Sequence, residues 1–352
     1  MRIHSNIIAK LLFPIILFYL SIGCNRESND SETDTEKEIR IHSNKDFINT
    51  VNQYLEGKVD SDSIRSLLND SIDYSFLNKW IIENRNDTIA KKRWILGRCY
   101  YFGKGIEKDF DQAFLYYNSS ANQGLPEAEN SLGWLYKDGE GVEKDLAKAV
   151  EWYTKAAEQG NPYAQSNLAW RYSNGEGVEK DLAKAVEWYK KAAEQGNSHA
   201  QNNLAICYYN GEGVEKDFNK AFEWFSKATE QNNERSKKQL ALMYLEGKGT
   251  SVDIEKGLSL LIELADNGNV DSQYRLGLMY EMGSWVEQND QKAFEWYQKA
   301  ANQRHNPAEY RLGIFYDQGV IGAKNKRIAR LWLDRAVSDG SEEAKEYLEQ
   351  MK

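Results

Sequence analysis

Proline is scarce in this sequence, with 4 among 352 residues, and histidine and cysteine are as thin, at 4 and 3. Few prolines, with 41% hydrophobic and 12% aromatic residues, argue against wholesale disorder and suit packed helices. The histidines are His4, His42, His199 and His305, and none has a second histidine or a cysteine three or four residues away. No Cys-x-x-Cys pair, phosphate loop or nucleophile elbow occurs, so neither a metal nor another cofactor is expected. Basic excess is missing too. Lys and Arg number 45 against 54 Asp and Glu, a net charge of −9. Removing Arg2 and Lys10 with residues 1–23 leaves 43 against 54, or −11. A nucleic-acid binder needs a basic stripe to displace counterions, and none is visible. Lys91-Lys92-Arg93 and the cluster from Lys324 to Arg330 read as local solvated faces.

Long apolar runs are also lacking. Leu11 to Ile22, about 12 residues, is too short for a ~30 Å hydrocarbon core. With Arg2 and Lys10 ahead of it, the run reads as the apolar region of a secretory signal over residues 1–23. It ends in Leu20-Ser21-Ile22-Gly23-Cys24, which resembles the lipobox of bacterial lipoproteins, although Ser21 stands where that motif prefers leucine. The resemblance implies lipid on Cys24, a membrane anchor and a place in the bacterial cell envelope. Asn25 to Glu38 carries six carboxylates and no large apolar residue, so residues 24–45 read as a flexible acidic tether.

What the chain has in abundance is repetition. Gly-Glu-Gly-Val-Glu-Lys-Asp occurs at 139–145, 175–181 and 211–217, a spacing of 36 residues. One column at that spacing holds Leu96, Leu132, Leu168, Leu204, Leu240, Leu276 and Leu312; another holds Tyr100, Tyr136, Tyr172, Tyr208, Tyr244, Tyr280 and Tyr316. A fixed period in this range denotes stacked supersecondary units, each covering its neighbour. Within residues 126–161, Pro126 opens a helix, and Ala128, Leu132 and Tyr136 form one stripe on it. Gly139 and Gly141 end that helix and shape a loop, and Asp145 caps a second helix that Gly160 closes. Gly133, with Ala169, Ala205 and Ala241 in its place later, leaves room for a neighbouring helix. The tryptophan column (Trp152, Trp188, Trp224, Trp296, Trp332) keeps phase with the alanines and reads as packing. Cys99 and Cys207 share a column three repeats apart. They are therefore too distant for a disulfide and are expected to be unpaired and at least partly buried.

This pattern resembles the Sel1-like repeat, a relative of the tetratricopeptide repeat, on Ala164, Leu168, Tyr172, Gly175, Gly177-Val178, Asp181, Ala185, Trp188-Tyr189, Lys191-Ala192-Ala193 and Gln195-Gly196. The resemblance implies an all-α fold, an α-solenoid of seven 36-residue helix-turn-helix units over 90–341. Residues 46–89 are expected to form a divergent helical N-terminal cap and 342–352 a C-terminal capping helix. It also implies a scaffold or adaptor that takes a protein or peptide partner on a concave face lined by the first helices.

Recognition residues are sought where the repeats vary. The position before the leucine reads Ile95, Ser131, Asn167, Asn203, Gln239, Arg275, Arg311, and the one before that Trp94, Asn130, Ser166, Asn202, Lys238, Tyr274, Tyr310. Tyrosine and arginine are frequent interface anchors, so Tyr274, Arg275, Tyr310 and Arg311 are the leading candidates, with Trp94 beside them. Trp285, which replaces the second loop glycine of its repeat, is another. Trp134 and Trp170 are open to either reading, packing or recognition. Two rival functions stand beside the scaffold. One is a glycan or peptidoglycan binder using exposed aromatics. The other is an envelope hydrolase like the cysteine-rich Sel1-like proteins linked to β-lactams. Those carry a cysteine pair bridging the two helices within each repeat, a feature this chain lacks, so an enzyme is not expected.

Overall fold

The computed structural model describes residues 34–69 and 73–351; the signal segment and Cys24 lie outside the described residues. The described residues fall into two compact units, one up to Lys79 and one from Trp80 onward. The first contains α1 (Asp34–Leu55), α2 (Ser61–Asn69) and the start of α3 (Tyr74–Asn84). Phe47, Val51, Tyr54, Ile64, Leu68 and Leu77 are buried within it. α1 starts inside the stretch read as a tether, which corrects that boundary. Glu36, Lys37, Glu38 and Arg40 are good helix formers and lead directly into the helical spacing of Phe47, Val51 and Tyr54.

The second unit is a succession of helix pairs. They are α4 (Ala90–Phe102) with α5 (Phe110–Ala121), α6 (Pro126–Asp138) with α7 (Leu146–Glu158), and α8 (Pro162–Asn174) with α9 (Leu182–Glu194). Next come α10 (Ser198–Asn210) with α11 (Phe218–Glu230), α12 (Glu234–Glu246) with α13 (Ile254–Asp266), α14 (Val270–Met282) with α15 (Asp290–Asn302), and α16 (Asn306–Gln318) with α17 (Lys326–Ser338). α18 (Glu342–Gln350) follows. Each helix from α4 to α18 packs on its sequence neighbours, and no strand occurs among the described residues. The chain is the expected all-α solenoid of seven repeats.

Local chemistry sets each boundary. Asp145 and Asp181 accept the amides of Lys148 and Lys184 at 3.0 Å, capping the second helices. Those backbone hydrogen bonds, with the lysines beside them, hold both carboxyls below their ordinary range. Asn161 and Asn197 cap first helices the same way, each at 2.9 Å. The tyrosine column closes the loop: the carbonyls of Tyr136, Tyr172 and Tyr208 each accept the amide of the following cap aspartate at 2.9 Å. Helices within a pair approach closely because the residue after the leucine is small. A Cβ at Gly133 would stand 2.5 Å from the Tyr153 ring, whereas Ala169 and Ala205 fit, fully buried, in the following repeats. The tryptophan column is packed as expected: Trp188 and Trp224 lie against the buried clusters of two repeats each. Cys99 and Cys207 are free and buried, and burial raises their thiols to about 12 and about 11.

A glutamine ladder joins the repeats. Gln195 donates to Gln165 and Gln231 to Gln201, both at 2.8 Å, and Gln303 donates to Gln273 at 2.9 Å. The receiving glutamines in turn donate to the carbonyls of Ala157, Ala193 and Ala265. Glutamate holds the receiving position twice. Glu129 accepts from Gln159 at 2.7 Å, and burial raises its carboxyl. Glu309 is fully buried. Arg335 Nε lies 2.7 Å away as an ion pair without the direction of a hydrogen bond, and Arg335 supplies the donor to the Ala301 carbonyl that a glutamine supplies elsewhere.

Two stability outcomes follow from this packing. Gly177 has φ +72°, and a Cβ there would overlap the Leu146 carbonyl oxygen; Gly160 has φ +89° with open space around it. Gly160→Ala should cost about 1 kcal/mol for the left-handed backbone alone, and Gly177→Ala clearly more, read by denaturant unfolding. Equal costs would mean that the loop does not bear on the preceding helix. Glu129 has a raised folded value, so the stability linked to it falls as pH rises from the ordinary carboxylate range through that value. Glu129→Gln should therefore stabilise the protein at neutral pH, and the gain should vanish below the carboxylate range.

Candidate interaction surface

The first helices present four columns, and burial separates their roles. The leucine column is buried: Leu132, Leu204, Leu276 and Leu312 are at 0% exposure. Two positions earlier the column is also closed. Asn130, Ser166 and Asn202 are buried, and hydrogen bonds tie this level to neighbouring repeats. Asn167 Nδ2 donates to Asn130 Oδ1 at 3.0 Å, and Ser236 Oγ to Asn202 Oδ1 at 3.0 Å. Trp94 belongs to this level. It is wholly buried, its indole N–H donates to Ser131 Oγ at 3.2 Å, and the Arg98 guanidinium lies 5.3 Å from its ring. The expectation that Trp94 meets a partner is corrected: in the first repeat an indole fills the space that asparagine and serine occupy later.

The C-terminal candidates do not form one site. Tyr274 is half-buried against Tyr297 and His305, with ring centroids 5.7 and 4.7 Å away. Arg311 sits beside it, bonded to Tyr274 and paired with Glu281 Oε1 at 3.3 Å; Glu281 also accepts from Tyr297 Oη. Burial opposes the Arg311 charge, and Glu281 and Tyr297 more than offset it, so the guanidinium stays charged. Burial lowers the His305 imidazole, with Asp271 opposing. Tyr310 turns elsewhere, packing on Tyr347 of α18 at 6.1 Å. Only Arg275 of the four is exposed. Trp285 is 40% exposed at φ +61°, a left-handed conformation costly for a bulky residue.

The outward column lies two positions after the leucine. Trp134, Trp170 and Ile206 are 39%, 38% and 36% exposed, one in each of three consecutive repeats, and Leu242, Leu278 and Ile314 continue the column half-buried. Lys137 and Arg171 lie over the two indoles at 5.8 and 4.2 Å. Asn167 and Asn203, one residue before the leucine, line the same stretch half-buried. The signal was present in sequence as an apolar residue at this position in every repeat after the first. Variation drew attention to the neighbouring columns instead. Among the described residues no group of His, Cys, Asp and Glu is placed to hold a metal ion, and no helix is long and apolar enough to cross a membrane.

Because Tyr274 and Tyr310 pack against their neighbours, the paired substitution Tyr274→Ala with Tyr310→Ala should lower stability, by about 1–2 kcal/mol at each site given half burial. Thermal unfolding reads this. An unchanged melting temperature would return both tyrosines to the list of free recognition groups.

Comparison with known proteins agrees with this architecture. The Sel1 repeat model matches residues 94–125, 126–161, 162–197, 198–233, 237–269, 270–305 and 306–341. Among solved structures, a protective antigen of uropathogenic Escherichia coli displaying an SLR fold is 32% identical over 84% of this chain, with a TM-score of 0.66; the match covers 65% of that antigen's length. A Sel1 repeat protein from Oxalobacter formigenes is 32% identical over 69% of this chain and 96% of its own, with a TM-score of 0.62. No curated protein matches the chain. With seven matched repeats over most of its length, the chain belongs to the Sel1 repeat family.

Proposed function

We propose that the protein is a non-enzymatic interaction scaffold of the bacterial cell envelope, anchored through lipid on Cys24, that binds a protein or peptide along its first-helix face. The observation carrying this reading is the exposed apolar column of Trp134, Trp170 and Ile206. A residue in that column is not needed to close the stack, because the leucine column and the level below it already do so. Large apolar groups in water across three adjacent repeats favour a surface that another chain covers. Tryptophan supplies much contact area at little entropic cost, and the flanking half-buried amides of Asn167 and Asn203 supply donors and acceptors for a polypeptide backbone. The short apolar run and Gly23-Cys24 support the anchor.

A photo-crosslinking residue at position 170 in the native cell, followed by identification of the captured protein, tests the face. Trp134→Ala with Trp170→Ala should then weaken binding to that protein tenfold or more, each indole being a potential hot spot of about 2 kcal/mol. Melting temperature should change little. Normal capture by the double variant would remove this face from the proposal. Cys24→Ser should release the protein from the membrane fraction; unchanged association would remove the anchor.

A further inference from the structure

The cationic cluster at the end of the stack differs from the one at its beginning. Near the first repeat, Lys92 is paired with Asp87 at 2.6 Å and Arg93 donates to the Asp87 carbonyl at 2.8 Å, so that cluster is consumed by its own surroundings. In the last repeat, Lys324, Lys326, Arg327 and Arg330 are all exposed, and Lys324, Arg327 and Arg330 have no ion-pair partner among the described residues. They stand in a chain whose net charge is −9. Residue 331 adds a second, independent departure. Glu151, Glu187, Glu223 and Glu295 hold its column, all exposed, with an exposed Ser259 in one further repeat, whereas position 331 is a leucine with 67% exposure.

Lys326 and Arg330 stand where earlier repeats place the apolar Leu146 and Val150, although Asp290 already makes the first of these positions polar one repeat earlier. Position 331, a glutamate in four earlier repeats, holds the most exposed large apolar side chain of α17. Arg327 and Leu331 are one helical turn apart, and Arg330 adjoins them, so cation and leucine share one side of α17. Asp334 is the only acid within that stretch of the helix.

We propose that this face of α17 docks on an anionic phospholipid surface. Lys324, Arg327 and Arg330 would meet lipid phosphates, and Leu331 would enter the boundary between headgroups and acyl chains. Free cations on an otherwise acidic protein supply the charge complementarity. The exposed leucine beside the cations favours a bilayer over a nucleic acid, which offers no apolar layer beneath its phosphates. Leu115, in the same column of the first repeat, is 56% exposed beside Asp111 and provides an apolar control without the cations.

The test uses the full chain with Cys24→Ser, so that no lipid anchor contributes. A Leu331→Cys variant carries an environment-sensitive fluorophore; Cys99 and Cys207 are buried and shielded from the label. Vesicles of phosphatidylcholine mixed equally with phosphatidylglycerol should shift its emission to the blue, and vesicles of phosphatidylcholine alone should not. Raising the salt should reverse the shift. Adding Arg327→Glu and Arg330→Glu should raise the lipid concentration at half-shift by about tenfold or more. The same fluorophore on Leu115→Cys should stay unshifted. No shift with anionic vesicles, an equal shift with neutral ones, or indifference to the two charge reversals would each overturn the proposal. This inference does not depend on the partner-binding face or on the anchor, since neither takes part in the measurement.

Discussion

Backbone contact between the loop of one repeat and the start of the second helix of the repeat before sets the spacing of the whole stack. The second loop glycines Gly141, Gly177, Gly213 and Gly249 adopt φ near +70° and lie where any Cβ would overlap the carbonyl of Phe110, Leu146, Leu182 or Phe218. Two constraints thus fall on one residue, a left-handed backbone and an approach too close for a side chain. The period of 36 residues is kept because an insertion would move this contact off its carbonyl. Trp285 shows the alternative. At φ +61° it keeps the turn, but its side chain stands 40% exposed at the edge, with Met282 nearby at 64%.

Once the spacing is fixed, each repeat needs polar as well as apolar continuity. The glutamine ladder provides it by letting one amide accept from the end of its own repeat while donating to a backbone carbonyl of the repeat before. The arrangement is sensitive to a single atom. Glutamate can accept but not donate while ionised, so Glu309 forces Arg335 to take over the carbonyl of Ala301. The last repeat is therefore held by charge where the central ones are held by amides. The same repeat turns its remaining cations and Leu331 outward.

The candidate surface is what remains after these demands are met. Burial assigns the leucine column and the level below it to the stack, and leaves Trp134, Trp170 and Ile206 facing water. Membership of the Sel1 repeat family accounts for the architecture, and repeats of this family commonly mediate contacts between proteins. The chain's own departures from the repeat carry what is particular to it.

Sequence alone determined the number of repeats, the helix pairs, the capping aspartates and the turn glycines, because each depends on local backbone conformation repeated at a fixed interval. It also settled the free cysteines, since three repeats of helices cannot be bridged by one disulfide. Sequence could not decide which variable column faces outward. Adjacent helix positions differ by about 100° in direction, and only packing of the next repeat shows which direction it covers. For that reason Trp94, chosen for its variability, is buried, and Tyr310 is taken up by α18. The tether boundary failed for a related reason. Polar residues from Asp34 onward have no apolar face of their own, but they extend a helix whose apolar face begins at Phe47 and is buried by tertiary contact.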